Sequence, residues 1–320
     1  MTPAGSSTPS SGGDRFCYVV MCHTDAPLVE RLVRRIRASH PGAVVVLRHD
    51  RGPGFISAAD AAAWGAQVFD SGLRIVWGGW TMVAATLEVF RHVRDTVDPD
   101  WVVLVSGHDY PVRPLAPWAA QVAGSGVDAL VAPSDETQVN RYSHRWSPLP
   151  RWRVPRPVHR VLTLAWWRIG FPLQRTVVFD ELPRGNGWIV GVRRHRPFPD
   201  AERYTQAGQW VTLSRRGLSR VLAADAADPV RRREFSRTRI PDESYLPTLL
   251  LSDPEIVVER RRTSWVRFVG GEPHPRPLTE TDVEAAVASG APFARKVVPG
   301  VSDVALQRID AAAPGVGSAG

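Results

Sequence analysis

The chain has 320 residues, of which 43% are hydrophobic and 22% charged, a composition typical of a soluble globular protein with a sizeable core. The net charge of +8 raises the question of nucleic-acid binding, but the 40 basic residues are interspersed with 32 acidic ones and no recognition-helix or zinc-finger motif occurs. Nucleic acid is therefore not the expected partner. One possible function of such a basic chain is the binding of nucleic acid or acidic polysaccharide through its arginines, without catalysis.

The two cysteines, Cys17 and Cys22, lie in the first apolar run, FCYVVMC. Five residues apart on a strand they point to opposite faces, so they cannot form a disulfide with each other. The cysteines are expected to be reduced core residues, and the sequence shows neither a signal peptide nor an apolar stretch long enough to cross a bilayer. These features predict a cytoplasmic protein.

The first half of the ordered chain alternates strand and helix patterns. The predicted elements are a strand at 16–22, a helix at 26–39, a strand at 43–47, a helix at 57–68, a strand at 73–76, a helix at 81–97 and a strand at 101–105. This order predicts an α/β fold with a mostly parallel, Rossmann-like sheet flanked by helices. Tails rich in small, polar, Gly and Pro residues at 1–14 and 301–320 are predicted to be disordered or flexible, leaving one domain at 15–300.

Polar residues follow each predicted strand of this half. They are His23-Thr24-Asp25, His49-Asp50, Trp77-Gly78-Gly79 and Ser106-Gly107-His108-Asp109-Tyr110-Pro111. The carboxyl ends of parallel strands lie at one edge of a sheet, where ligands bind in such folds. The four segments therefore predict a cleft along that edge.

The second half is less regular. Region 134–186 is rich in Pro, Arg and Trp, and its segment 151–175 has a composition typical of membrane-facing surfaces or of an excursion packed on the domain. The later predicted elements are strands at 187–192 and 210–213, helices at 216–224 and from 241, strands at 256–259 and 265–269, and a helix at 280–288 capped by Thr279.

Lys296 is the only lysine of the chain, against 39 arginines. An ammonium group is a compact point charge that fits among the oxygens of a diphosphate, whereas a guanidinium group is a broad fork. Glu243, in the segment IPDESYLPTLL, lies in the first turn of a predicted helix, where the helix dipole favours an ionised carboxylate that can take a proton. A purely structural role remains the alternative for each residue.

The chain resembles the core-2/I-branching β-1,6-N-acetylglucosaminyltransferases and the related peptide O-xylosyltransferases. Seven stretches carry the resemblance in family order, namely HTD, RHD, WGGWTMVAATLEVF, WVVLVSGHDYPV, GQWVTLSR, IPDESYLPTLL and PFARKV. It implies a GT-A type glycosyltransferase fold with a nucleotide-sugar-binding half at 15–133 and an acceptor/catalytic half at 134–300. It also implies inverting transfer from a UDP-sugar without a metal or other cofactor.

The resemblance also implies roles for particular residues. Glu243 is expected to be the catalytic base, and Lys296 and Arg276 to hold the UDP diphosphate, with Arg262 as the alternative second cation. The expected nucleotide-sugar contacts are His23, Asp25, Asp50, Trp77, Gly78 and Asp109, and the expected acceptor contacts are Gln209 and Trp210. For His23 a structural role is an equal alternative, and for Trp210 a place in the core.

A metal-dependent enzyme of this fold would need a carboxylate pair just after a strand. The pair Asp98-Pro99-Asp100 precedes its strand instead, so no metal site is predicted. The chain also lacks the glycine-rich fingerprint that a nucleotide-sugar epimerase needs. The sequence shows neither the membrane anchor nor the disulfides of animal members, so the acceptor stays open as a glycan, glycolipid or protein hydroxyl. Peripheral contact with the inner membrane face through 151–175 is a hypothesis.

Overall fold

The structure is a computed structural model that describes residues 14–50, 56–132, 140–149, 176–181, 187–195, 204–269 and 274–312, together with positions 161, 164, 168 and 198. The strands are β1 Phe16–Cys22, β2 Val44–His49, β3 Gln67–Val68, β4 Trp101–Ser106, β5 Tyr110–Pro111, β6 Ala129–Leu130, β7 His144–Pro148, β8 Val177–Glu181, β9 Trp188–Arg193, β10 Thr212–Ser214, β11 Val258–Glu259, β12 Ser264–Val266 and β13 Phe293–Arg295.

The α-helices are α1 Ala26–Ser39, α2 Ala58–Trp64, α3 Trp80–Thr96, α4 Leu115–Ala123, α5 Asn140–Ser143, α6 Arg215–Ala227, α7 Pro229–Phe235, α8 Tyr245–Ser252, α9 Val283–Ala288 and α10 Asp303–Ala311. Short 3-10 turns at Pro241–Glu243 and Glu280–Asp282 precede α8 and α9. The second turn is capped by Thr279 and Asp282 in a reciprocal capping box, which confirms the predicted cap. No helix within these described ranges is long and apolar enough to span a bilayer.

The main sheet has seven strands in the order β11-β6-β10-β4-β1-β2-β3. The central strands β4, β1, β2 and β3 are parallel, and β10 runs antiparallel between β4 and β6. Cys22 pairs with His49 and Met21 with Ser106, so the three central strands end at one edge. The predicted α/β fold with a mostly parallel sheet is confirmed.

Both faces of this sheet are buried, because every residue of β1 and β4 is buried. Cys17 contributes to a core on the side of α3, α6 and α8, and Cys22 to the core on the side of α1 and α4. The two cysteines therefore face opposite sides of the sheet and are unbonded, as predicted. Burial raises the pKa of each thiol to about 12.

A second sheet, in the order β12-β13-β5, lies beside the carboxyl edge of the main sheet. Its core includes Leu306 and Ile309 of α10, which are buried. Asp310 accepts a hydrogen bond from the Tyr110 hydroxyl at 2.7 Å and forms an ion pair with Arg31 at 2.8 Å. The prediction of a flexible tail over 301–320 was therefore wrong for 303–311, because these apolar residues complete a core.

The predicted strand at 73–76 was also wrong, because side chains take the backbone hydrogen bonds that a neighbouring strand would provide. Arg48 Nη2 donates to the Leu73 carbonyl at 2.8 Å, the Ile75 amide donates to Asp50 Oδ1 at 3.1 Å, and the Val76 amide donates to Thr81 Oγ1 at 2.7 Å. The strand next to β2 is instead the two-residue β3.

The third sheet, β7-β9-β8, is antiparallel. Its strands β7 and β8 fall within the region 134–186 that was predicted to be irregular, whereas β9 matches the strand predicted at 187–192. The proposed membrane-facing segment 151–175 lies outside the described residues except for positions 161, 164 and 168. The predicted N-terminal tail at 1–14 likewise lies outside them except for Asp14.

Candidate active site

The carboxyl edge of the main sheet forms a small recess. Its lining comes from five segments that are distant in the sequence, and it includes His23, Asp50, Trp77, Gln209 and Trp210. These five were all predicted site residues, so the recess brings together residues predicted to contact the nucleotide sugar and residues predicted to contact the acceptor.

His23 and Asp50 lie in the recess because β1 and β2 end side by side. The Asp50 amide donates to the Cys22 carbonyl at 2.9 Å, and one carboxylate oxygen accepts from the Ile75 amide. The ring of His23 lies 5.5 Å from the indole of Trp77 and 5.7 Å from the ring of His108, measured between centroids. The aromatic lining of the recess therefore consists of the His23 imidazole and the indoles of Trp77 and Trp210, and His108 lies behind His23.

Asp109 is fully buried, so it lies beneath the cleft surface rather than on it. One carboxylate oxygen accepts from the Ser106 amide at 2.6 Å, and the other lies 3.5 Å from Nε of Arg295. Burial raises the pKa of Asp109, while the charge of Arg295 opposes that shift. Asp109 thus forms a buried ion pair with Arg295, and its contact with the donor sugar stays a prediction.

Arg295 joins this buried carboxylate to the recess. Its guanidinium carbon lies 4.6 Å from the centroid of the Trp210 ring, which is a cation-π arrangement. Trp210 is half-buried, lines the recess and also packs against the core, and its contact with the acceptor stays a prediction. Arg295 was missed by sequence reasoning although it precedes Lys296, because one arginine among 39 carries no local signal.

Lys296 follows β13 and is half-buried. Its backbone amide lies 3.5 Å from the Arg276 carbonyl, and its carbonyl accepts from the Leu278 amide at 2.8 Å, so the two predicted diphosphate cations are neighbours along the backbone. The alternative cation, Arg262, lines a different cavity with Arg113. This arrangement favours Arg276 as the partner of Lys296.

His108 lies between the backbone just after Lys296 and His23 of the recess. Its Nδ1 donates to the Val297 carbonyl at 2.9 Å, and its Nε2 lies 3.9 Å from Oδ2 of Asp25. Burial lowers the pKa of His108, the hydrogen bond to Val297 and the charge of Asp25 oppose that shift, and the charges of Lys296 and Arg295 add to it. The imidazole is therefore neutral at neutral pH and lies between the Val297 carbonyl and Asp25. Asp25 is the N-cap of α1 and has a left-handed conformation with φ of 59°.

Glu243 lies outside the lining of the recess. It is part of the 3-10 turn Pro241–Glu243, whereas the sequence predicted the first turn of an α-helix. Its carboxylate is about two-fifths exposed and forms a 2.6 Å ion pair with Nη1 of the buried Arg141. The Glu243 carbonyl accepts from the Ala207 amide at 2.8 Å, close to Gln209 along the chain. Arg141 was missed because only the tertiary fold brings it to Glu243.

The backbone of the same turn contacts the Trp77-Gly78 loop. The Ile240 amide donates to the Gly78 carbonyl at 3.3 Å, and Ile240 has φ of 51°, a conformation that is strained for a β-branched residue. Gly78, with φ of 72°, supports this turn through its carbonyl. The turn that carries Glu243 is thus attached to segments that line the recess on two sides.

Asp242 is a buried carboxyl next to Glu243. Burial first, and the negative charge of Glu243 second, raise the pKa of Asp242 to about 7. The nearby Arg141 opposes this shift. The turn therefore holds one carboxylate open to solvent and one carboxyl that keeps its proton up to neutral pH.

Asp98 and Asp100 lie at the amino end of β4, away from the cleft. Both pair with Arg215, and Asp100 also accepts from the Arg15 amide at 2.8 Å. Among the side chains that the structure describes, no three His, Cys, Asp or Glu groups converge as metal ligands would.

The family model described as Core-2/I-Branching enzyme matches residues 16–287. The chain therefore belongs to the core-2/I-branching enzyme family, which makes it a glycosyltransferase by class. No protein with a curated description matches the chain.

Solved structures give remote likenesses. One, described only as a mycobacterial protein, is 17% identical with a TM-score of 0.31, and the match covers 68% of this chain and 63% of that one. Glucosyl-3-phosphoglycerate synthase from Mycobacterium tuberculosis, bound to phosphoglyceric acid, is 16% identical with a TM-score of 0.31 and coverages of 69% and 67%. A putative glucose-1-phosphate thymidylyltransferase from Bacillus anthracis, bound to sucrose, is 9% identical with a TM-score of 0.32 and coverages of 92% and 94%.

Proposed function

We propose that the protein transfers N-acetylglucosamine or xylose from a UDP-sugar to an acceptor hydroxyl by a single inverting displacement. The observation that carries this proposal is the attachment of the Glu243 turn to two segments of the recess, through Gly78 and Ala207. This attachment supports a carboxylate that can take a proton near the recess. Arg295, which lies over Trp210, and Lys296, whose charge acts on His108, are the proposed cations of the same site.

Glu243 is the proposed general base. The acceptor hydroxyl gives its proton to the Glu243 carboxylate while its oxygen forms a bond to the anomeric carbon. The bond from that carbon to the diphosphate oxygen breaks, and UDP leaves with the electron pair. The ion pair with Arg141 fixes the direction of the carboxylate, because a buried guanidinium has few other orientations.

Lys296 and Arg276 are the proposed cations for the departing diphosphate, and Arg295 joins them as a third. Fixed positive charges that face the leaving group stabilise the charge that develops in the transition state. We assign Asp109 the role of positioning Arg295, since it is buried beneath that guanidinium. In this proposal the side-chain cations take the part that a divalent metal plays in metal-dependent relatives.

The proposed donor site is the recess lined by His23, Asp50 and Trp77, with Asp25 facing His108 beside it. Gln209 and Trp210 are proposed to contact the acceptor, since an indole face is a platform for a sugar ring. The acceptor itself is proposed to be a glycan, glycolipid or protein hydroxyl. Peripheral membrane contact through 151–175 stays a hypothesis, which loss of co-sedimentation with anionic liposomes at low salt would exclude.

A UDP-release screen across UDP-sugars, with EDTA present, tests the reaction. We expect transfer with EDTA, weaker UDP binding for Lys296→Ala, and intact UDP binding with abolished transfer for Glu243→Gln. Glu284→Gln and Arg233→Ala are matched controls, because both side chains are exposed. Loss of transfer with EDTA and recovery with Mg²⁺ would refute the metal-independent mechanism.

The competing function is binding of nucleic acid or acidic polysaccharide without catalysis. It predicts a DNA affinity that falls steeply with salt, together with no response to UDP in a thermal-shift assay. Saturable thermal stabilisation by UDP that Lys296→Ala removes would decide for the transferase.

A further inference from the structure

A second cavity lies apart from the proposed active site, beside the edge strand β12. It has a volume of about 600 Å³, which is within the usual range for a small-ligand site. Ala291, at the start of the chain segment that forms β13, lines this cavity, whereas Lys296 lies beyond the other end of that strand. Five extended residues span about 16 Å, so the two sites are separate but lie on one strand.

The charged groups that line this cavity all have one sign among the residues that the structure describes. Arg113, Arg261 and Arg262 line it, and no described aspartate or glutamate does. Arg113 Nη1 donates to the Gly290 carbonyl at 2.8 Å, and Arg261 Nε lies 3.3 Å from Glu259. Within the described residues Arg262 forms no ion pair and its side chain is exposed, so a guanidinium fork is open to a ligand.

Aromatic rings form the rest of the wall. Trp265 is half-buried on β12, and Phe268, just beyond that strand, is 54% exposed. Trp118 of α4 is almost completely buried and also lines the cavity. Aromatic faces bind the apolar faces of sugar rings, and guanidinium forks bind carboxylates or phosphates in a bidentate manner.

We propose that this cavity binds an anionic saccharide, with Arg262 on its carboxylate or phosphate and with Trp265 and Phe268 on its sugar rings. The volume admits two or three sugar units, and the separation from Lys296 means that UDP does not compete. This binding is separate from the transfer reaction and does not depend on which donor sugar is used. In a glycosyltransferase, such a site would hold an acidic part of an acceptor or product away from the reacting hydroxyl.

Calorimetric titration of the full chain tests the site with three probes. They are a hyaluronan tetrasaccharide, which carries carboxylates, a neutral N-acetylglucosamine tetrasaccharide, and maltose 1-phosphate. We expect one or both anionic probes to bind at low salt and the neutral one to bind at least tenfold more weakly, since a charge-assisted hydrogen bond contributes about that factor. The anionic probe that binds identifies the acidic group.

Variants then locate the binding. Arg262→Gln and Phe268→Ala should each lower the affinity for the anionic probe by about tenfold. Arg233→Gln removes an exposed charge elsewhere and should leave that affinity unchanged. Phe268 is exposed, so its replacement leaves folding intact. Saturating UDP should not displace the probe, and Lys296→Ala should not affect it.

Three outcomes would overturn the proposal. They are no binding of either anionic probe, equal binding to wild type and Arg262→Gln, and tighter binding of a single-stranded oligonucleotide that competes with the saccharide. The transfer assay uses Glu243→Gln and UDP release, so failure of this second site and failure of the proposed reaction are distinguishable.

Discussion

Replacement of Asp242 by asparagine tests the electrostatics of the Glu243 turn. Burial and the charge of Glu243 raise the pKa of Asp242 from 3.8 to about 7, whereas the unfolded chain keeps the ordinary value. The native state therefore holds the proton more tightly than the unfolded state. The stability from the protonated carboxyl is complete below about pH 4 and is lost as pH rises through about 7.

The size of the effect follows from the two pKa values. A difference of about three units corresponds to about 4 kcal/mol of unfolding free energy once the carboxyl is ionised in both states. Between about pH 5 and about pH 8, the wild type should lose about 3 kcal/mol relative to Asp242→Asn, which cannot ionise.

Urea unfolding of both proteins over this pH range measures the difference. Asp303→Asn is a matched control, because that residue is exposed at the start of α10. Glu243→Gln removes the second cause of the shift and should move the wild-type transition to lower pH. Parallel pH profiles for wild type and Asp242→Asn would refute a raised pKa in the folded protein.

Three further predictions concern other parts of the molecule. Arg141→Gln should lower kcat by about tenfold and leave the UDP affinity unchanged, because in the proposed mechanism the guanidinium orients Glu243. An unchanged kcat in steady-state kinetics would contradict this prediction. Truncation after residue 300 should lower the unfolding free energy by about 4 kcal/mol, since two large apolar side chains of α10 lose their burial; an unchanged urea midpoint would count against it. Gly217→Ala should lower the unfolding free energy by about 1–3 kcal/mol although alanine favours helices, because its Cβ would lie 2.5 Å from the Asp128 carbonyl oxygen. Thermal unfolding measures this effect, and Gly42→Ala is the control, because a Cβ there meets no atom within 4 Å.

The first half of the fold could be predicted because local patterns match the final structure. The strand Phe16–Cys22 and the helix Ala26–Ser39 have the predicted bounds, since one is a continuous apolar run and the other is strongly amphipathic. The apolar run at 73–76 misled the prediction, because Arg48 of β2 and Asp50, which directly follows β2, take its backbone hydrogen bonds. Such side-chain substitutes for a strand leave no periodic signal.

Some residues of the candidate site could likewise be predicted from the sequence, and others could not. Residues that directly follow strands, such as His23 and Asp50, could be assigned to one edge from chain order alone. Arg141 and the Asp109–Arg295 pair could not, because each contact joins residues more than 100 positions apart. The short helix at 303–311 was missed because it has only three buried apolar residues and adjoins a segment rich in Gly and Pro.

The attachment of Asp310 to Tyr110 and Arg31 has a practical consequence for handling the protein. Tyr110 directly follows Asp109, so α10 braces the loop that supports Arg295. Proteolytic cleavage within this helix would loosen that loop and so disturb the proposed active site. Loss of activity during storage should therefore be checked first by intact mass.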